Sequence, residues 1–228
     1  MITPDEYERR IAFFPSNKFE DFNRFWKWKI EIESNSSVHI LDEDHKKETY
    51  LKLCHILPAW KTYRNGKNPL WRETLKESLN NISETYNKLR NYTLLDFESI
   101  PLGTLEKAWH ELGRVKEKEG MPNKNGCYSI ISISKPLLLV WGQTPAFDSK
   151  VREQMPACFH LSKYCNWDMN EWVRIMRQFR TKLSSDENLL KFVQEESKKK
   201  YGEKATVPYG RFLDTFFWTS SRCPENTV

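Results

Sequence analysis

The chain has no long apolar run, no paired cysteine motif and no leader-like start, and each of these absences removes a class of protein. No stretch of its 228 residues approaches the ~20 consecutive apolar positions a membrane-spanning helix needs, so no membrane partner is expected. The opening Met1-Ile2-Thr3-Pro4-Asp5-Glu6 carries neither the cationic start nor the hydrophobic segment of a secretory signal, and the expected location is cytoplasmic. In that compartment the glycosylation patterns Asn81-Ile82-Ser83 and Asn91-Tyr92-Thr93 are irrelevant. The five cysteines, Cys54, Cys127, Cys158, Cys165 and Cys223, are odd in number and scattered, with no C-x-x-C pair. That argues against a disulfide framework and a zinc ribbon alike. Cys158, His160 and Cys165 lack a fourth ligand, so neither metal nor cofactor is expected. No internal repeat or low-complexity linker interrupts the chain.

What is present suits one globular body. Hydrophobic residues make up 39% and aromatics 14%, enough for a substantial core, and the expectation is a single helical domain over 1–228. A formal net charge of +5 permits a nucleic-acid partner without requiring one.

Hydrophobic periodicity predicts helices almost throughout, an all-α fold. Thr3-Pro4-Asp5-Glu6 reads as a capping box for a first helix reaching about Phe14. A second, over 19–33, turns Phe19, Phe22, Trp26 and Ile30 inward and Arg24, Lys27 and Lys29 away. A third, over 44–57, stops at Pro58. Asn68-Pro69 opens a fourth, on which Trp71, Leu75, Leu79, Ile82, Tyr86 and Leu89 form one core stripe. A loop over 91–103 precedes a helix over 104–118, and Gly, Pro and Asn mark a second loop over 119–126. The apolar stretch 128–141 reads as a buried helix rather than a strand. Three more helices are expected over 168–183, 186–201 and 209–218; the first turns Arg174, Arg177, Arg180 and Lys182 outward.

The most informative residue is Asp148. It follows Trp141-Gly142-Gln143-Thr144-Pro145-Ala146-Phe147, where the apolar helix breaks at Gly142 and Pro145, and it precedes Ser149-Lys150-Val151-Arg152, where a new helix begins. A short carboxylate there accepts bonds from free backbone N–H groups and meets the positive end of the helix dipole. Lys150 and Arg152 add cations beside it. Asp148 is therefore either a structural cap or an acid held in place for chemistry on a negatively charged substrate.

The order glycine-containing loop, apolar helix, Trp-Gly, short Pro turn and Asp opening a helix resembles the helix-hairpin-helix DNA glycosylase superfamily. Ala146-Phe147-Asp148-Ser149-Lys150-Val151-Arg152 is similar to the family's segment valine-Asp-x-x-Val-x-Arg, over about residues 123–152. The resemblance implies a compact two-lobed helical fold with a cleft near 120–152, and Asp148 as the catalytic acid. The family's hairpin, leucine-Pro-Gly-x-Gly, falls near Asn125-Gly126-Cys127-Tyr128-Ser129, which keeps one glycine. The strand-cleaving members' lysine nucleophile aligns with Ile131, which implies a monofunctional enzyme. Cys158 and Cys165 have the first spacing of the iron–sulfur members, but no third or fourth cysteine follows in register.

The implied activity is hydrolysis of the N-glycosidic bond of a flipped base, leaving an abasic site. Double-stranded DNA is the implied partner and the chain is expected to be a monomer. Lys135, Lys150, Arg152 and Gly126 become candidate DNA contacts, with Lys135 read as a phosphate contact or helix-surface charge. Trp109, His110, Tyr128 and Trp60 become candidates for the base pocket or a wedge. Small helical chains of this kind in bacterial phage defence suggest a modified phage base, such as a glucosylated hydroxymethylcytosine. Two other readings stay open: a metal-dependent nuclease using Asp148-Ser149-Lys150 as its D-x-K element, and a non-catalytic helical module binding DNA or protein.

Overall fold

A computed structural model describes residues 4–14, 16–63, 68–117, 127–159 and 168–220. These residues form eleven α-helices, one 3-10 helix and no strand, as the periodicity predicts. The helices are α1 (Pro4–Ile11), α2 (Ser16–Glu33), α3 (Lys46–Ala59), α4 (Trp71–Asn81), α5 (Ser83–Leu89), α6 (Leu102–Gly113), α7 (Ile130–Val140), α8 (Ser149–Phe159), α9 (Met169–Ser185), α10 (Glu187–Tyr201) and α11 (Tyr209–Ser220). The 3-10 turn Leu94–Ser99 lies in the stretch read as loop over 91–103. The capping residue Thr3 and the loop 119–126 fall outside the described residues.

The helix ends are set by local chemistry. The Asp168 carboxylate accepts from Glu171 N at 2.8 Å to start α9, and Asp186 accepts from Leu189 N at 3.0 Å to start α10. Lys198, Lys199 and Lys200 complement the negative end of the α10 dipole, and Gly202, at φ +95, stops it. α7 is buried on every side, from Ile130 and Ile133 to Leu139 and Val140, and packs against α6, α2 and α3. A helix apolar all round has nowhere stable but the middle of the fold.

Three features differ from the sequence reading for a local reason, two of them helix boundaries and one a side-chain direction. The helix opened by Asn68-Pro69 is two: α4 and α5 part at Ile82, whose backbone (φ −94, ψ 2) leaves the α region. The hydroxyl of Ser83 donates to Leu41 O at 2.6 Å, an alternative to a continuous helical ladder. The stripe from Leu75 to Leu89 nonetheless stays buried. Pro58 does not end α3, which runs to Ala59, because only its final turn is affected. Lys29 does not face outward: it is buried, its amine 2.6 Å from the Glu33 carboxylate and 4.5 Å from the Trp26 ring centroid.

Glu33 then reaches the centre of the fold. The Tyr86 hydroxyl lies 2.6 Å from Glu33 Oε1 and 3.1 Å from Val140 O at the C-terminal end of α7. Replacing Tyr86 by Phe removes the hydroxyl from these acceptors, leaving Ile40 N as the remaining donor to Glu33 Oε1, and the protein is expected to lose about 1–2 kcal/mol of stability. A urea midpoint matching wild type would contradict that role.

Beyond α7 the chain enters a turn that is buried from Trp141 to Phe147. A buried turn must find partners for its polar groups. Trp141 Nε1 donates to Tyr92 O at 3.0 Å; Gln143 accepts from Leu94 N at 2.8 Å and donates to Val207 O at 2.9 Å. Gly210 N donates to Gly142 O at 2.8 Å, joining α11 to the turn. Gly142 has φ +76 and lies against the Trp26 ring, so a side chain there would be strained and without space.

Candidate active site

The turn delivers Asp148 to the start of α8. Ser134 on α7 donates its hydroxyl hydrogen bond to Ala146 O, while Ala146 N donates to Asp214 Oδ1 on α11 at 3.0 Å. Phe147, fully buried and packed 6.2 Å from the Phe179 ring, is held at φ +46. A bulky residue in the left-handed region costs of the order of 1–3 kcal/mol, and such strain concentrates where geometry serves function. The local consequence is the direction of the next side chain. Asp148 Oδ1 accepts from Lys150 N at 3.1 Å and Val151 N at 3.2 Å, capping α8. Oδ2 has no hydrogen bond among the described residues, on a side chain that is half-buried.

Cations gather around this carboxylate. Lys135 is only 4% exposed, and its amine donates to Trp60 O. Burial, reinforced by Lys18 and Lys116, pushes its pKa down to about 8, against the attraction of Asp148 and Asp214. Lys18, near the start of α2, is also lowered, chiefly by burial, and is drawn upward by the same two carboxylates. The Lys18 amine lies 5.2 Å and the Lys150 amine 4.7 Å from the Trp218 ring centroid, so one indole carries both ammonium groups.

Behind the turn, Asp214 and Arg211 form a buried ion pair at 2.9 Å, each 5% or less exposed. Burial raises Asp214 and lowers Arg211, each partly offset by the other. The Arg211 guanidinium lies 4.5 Å from the Phe14 centroid and 4.9 Å from that of Phe22, and its Nη2 donates to Lys18 O at 3.2 Å. One pair thus holds both the turn and the backbone of Lys18.

The candidates separate clearly. Asp148, Lys150 and the half-buried Arg152 occupy the start of α8. Lys135 corrects the sequence reading: its amine is spent inside the fold, so it is neither a helix-surface charge nor a phosphate contact, because the helix carrying it has no solvent-facing side. Trp60 and Trp109 are 3% exposed and belong to the core, Trp109 with its ring 5.4 Å from that of Trp172; neither offers a face to a base. His110 is exposed and Tyr128 half-buried, their rings 5.8 Å apart, with Tyr128 close against Gly113. Gly126 lies outside the described residues.

Lys18, Arg211 and Asp214 carry no role in the sequence reading. A signal for the last two exists: charges three residues apart within Tyr-Gly-Arg-Phe-Leu-Asp-Thr-Phe-Phe-Trp must pair when the aromatics bury them. Lys18 has no such signal.

No family model matches this chain, and no curated protein and no solved structure does either.

Lys135 has a measurable signature. Its pKa is about 8 folded and 10.5 in its ordinary state, so between these values the unfolded chain binds more protons and stability rises with pH. Below pH 8 the penalty of the buried charge is fully present, on the order of 3 kcal/mol. The gain in stability from pH 7 to pH 10 is expected to be smaller in Lys135→Met than in wild type by up to about that amount. Parallel curves for the two proteins would contradict the assignment.

Proposed function

We propose that this protein is a monofunctional DNA glycosylase, hydrolysing the N-glycosidic bond of a base flipped out of the duplex. The observation that carries the reading is Asp148 itself: a half-buried carboxylate fixed by two backbone N–H groups after a strained residue, with one oxygen uncommitted, beside Lys18, Lys135 and Lys150. A purely structural cap does not require a buried ammonium held near it against a desolvation penalty.

The chemistry needs little else. As the bond from C1′ to the base nitrogen breaks, its electron pair leaves with the base and the sugar acquires oxocarbenium character. Asp148 opposes that charge and accepts the proton of the water whose oxygen bonds to C1′, while the departing base takes up a proton from solvent and Asp148 later releases its own, leaving an abasic site and a free base. Lys150 and Arg152 at the start of α8 would neutralise the phosphates flanking the flipped nucleotide. His110 and Tyr128 are the remaining aromatic candidates for contact with the flipped base or the gap it leaves. A modified phage cytosine, carried by double-stranded DNA, is the substrate the resemblance favours. Among the described residues no helix is long and apolar enough to cross a membrane.

The test incubates purified protein with phage DNA bearing glucosylated hydroxymethylcytosine and with unmodified DNA, both in EDTA, and measures released base and alkali-labile sites. Release from the modified DNA is expected. Activity that disappears in EDTA would favour the metal-dependent nuclease, and DNA binding without any release would favour the non-catalytic module.

A further inference from the structure

Arg211 also lines a partly open cavity of about 80 Å³ between α1, α2, α10 and α11, whose lining includes Tyr7, Phe19, Glu196, Ser197 and Lys200. Two of its donors are buried and unpaired among the described residues: Arg211 Nε and the Ser197 hydroxyl, on side chains from residues 4% and 7% exposed. A third, the Lys200 ammonium, lies 3.4 Å from the Phe19 ring centroid. Positive charge outweighs negative here. Glu196 is the acid on this wall, and its carboxylate is held by Lys199 at 2.6 Å. Burial together with Arg211 and Lys27 pushes Lys200 down to about 7, the mark of a cation without a sufficient counter-charge.

We propose that this cavity is a binding site for a small oxyanion, of the carboxylate or inorganic phosphate class. Water alone would satisfy the two unpaired donors and leave the charge of Lys200 unanswered, since Arg211 already has Asp214. An oxyanion answers both: it accepts from Arg211 Nε, the Ser197 hydroxyl and the Lys200 ammonium at once, in bonds strengthened by charge. The volume suits it, since a cavity of this size holds two or three waters or one such ion. Tyr7 and Phe212, stacked at 4.3 Å, and the Phe19 ring supply apolar walls that would keep an anion there from being screened. Arg211 also links the cavity to Asp148: its Nη1 bonds Asp214, which holds Ala146 N, and its Nη2 bonds Lys18 O. The site does not depend on the glycosylase reading.

The experiment follows thermal unfolding of the full chain at pH 6.5 as sodium phosphate or sodium acetate is added at constant ionic strength, with chloride making up the balance. A ligand that binds only the folded state raises the midpoint in a saturable, concentration-dependent way. Wild type is expected to show that saturable rise with at least one of the two anions. Lys200→Gln is expected to weaken the apparent affinity at least tenfold and Ser197→Ala severalfold. Lys191→Gln, an exposed lysine of α10 outside the cavity, should behave as wild type. No saturable rise in wild type, or one of equal affinity in Lys200→Gln and Ser197→Ala, would show a cavity filled by water and overturn the proposal.

Discussion

Replacing Asp148 by Asn is expected to lower base release by about 10²–10⁴-fold while leaving DNA affinity and the unfolding midpoint close to wild type. Asn matches Asp in shape and caps a helix as well, so the bonds from Lys150 N and Val151 N to the side-chain oxygen persist and α8 still starts at Ser149. What disappears is the negative charge and the ability to take a proton from water. Lys135 and Lys18 lose an attractive partner at the same time, and both should deprotonate more readily. A chain in which Asp148 is only a cap gives the opposite pattern, with every activity retained. Single-turnover release, read beside binding and urea unfolding, separates the two.

The largest effect on stability is expected at Asp214. Truncation to Ala leaves the buried Arg211 guanidinium with no counter-ion and deprives Ala146 N of its acceptor, at a cost of about 3–5 kcal/mol. Removing both charges at once is a different matter. Arg211→Met with Asp214→Leu replaces a desolvated pair by apolar groups in a site already walled by Phe14, Phe19 and Phe22, and most of the loss is expected to be recovered. Urea unfolding of the single and double variants reads this directly. A double variant no more stable than Asp214→Ala would mean that the bond to Ala146 N, rather than the unpaired charge, dominates. The recovered protein should still be impaired in base release, since the turn that aims Asp148 has lost its anchor on α11.

Much of this arrangement is written in local sequence. The periodicity of α2, α9 and α10 and the break at Gly142 and Pro145 locate the elements, and a short acid after that break locates the cap. The contiguous Leu137-Leu138-Leu139-Val140 marks α7 as central. That same feature contains the fate of Lys135, because a helix without a polar side cannot carry a surface lysine. Lys135 nonetheless reads locally as a charge on the helix surface, because a lysine is seldom buried. Lys29 misleads in the same way: its partner Glu33 sits one turn on, and only the packing of Tyr86 against both elements shows that the pair is buried. Trp60 and Trp109 illustrate a deeper limit. An aromatic ring on a helix serves a core or a base pocket equally well, and what decides is the neighbour across the fold, Trp172 for Trp109. Lys18 meets Asp148 and Asp214 only through the folded chain, from more than a hundred residues away.

In the proposed reaction a carboxylate and a water molecule, with no covalent amine intermediate, take the base from its sugar. The most direct measurement incubates wild type and Lys135→Met with modified-base DNA in the presence of borohydride, counting free base, abasic sites and protein–DNA adducts together. One abasic site is expected for each base released, with no trapped adduct, although an amine lies buried near Asp148. An adduct that vanishes in Lys135→Met would make the lysine the nucleophile and contradict the account, and the absence of any released base would remove the enzymatic reading altogether.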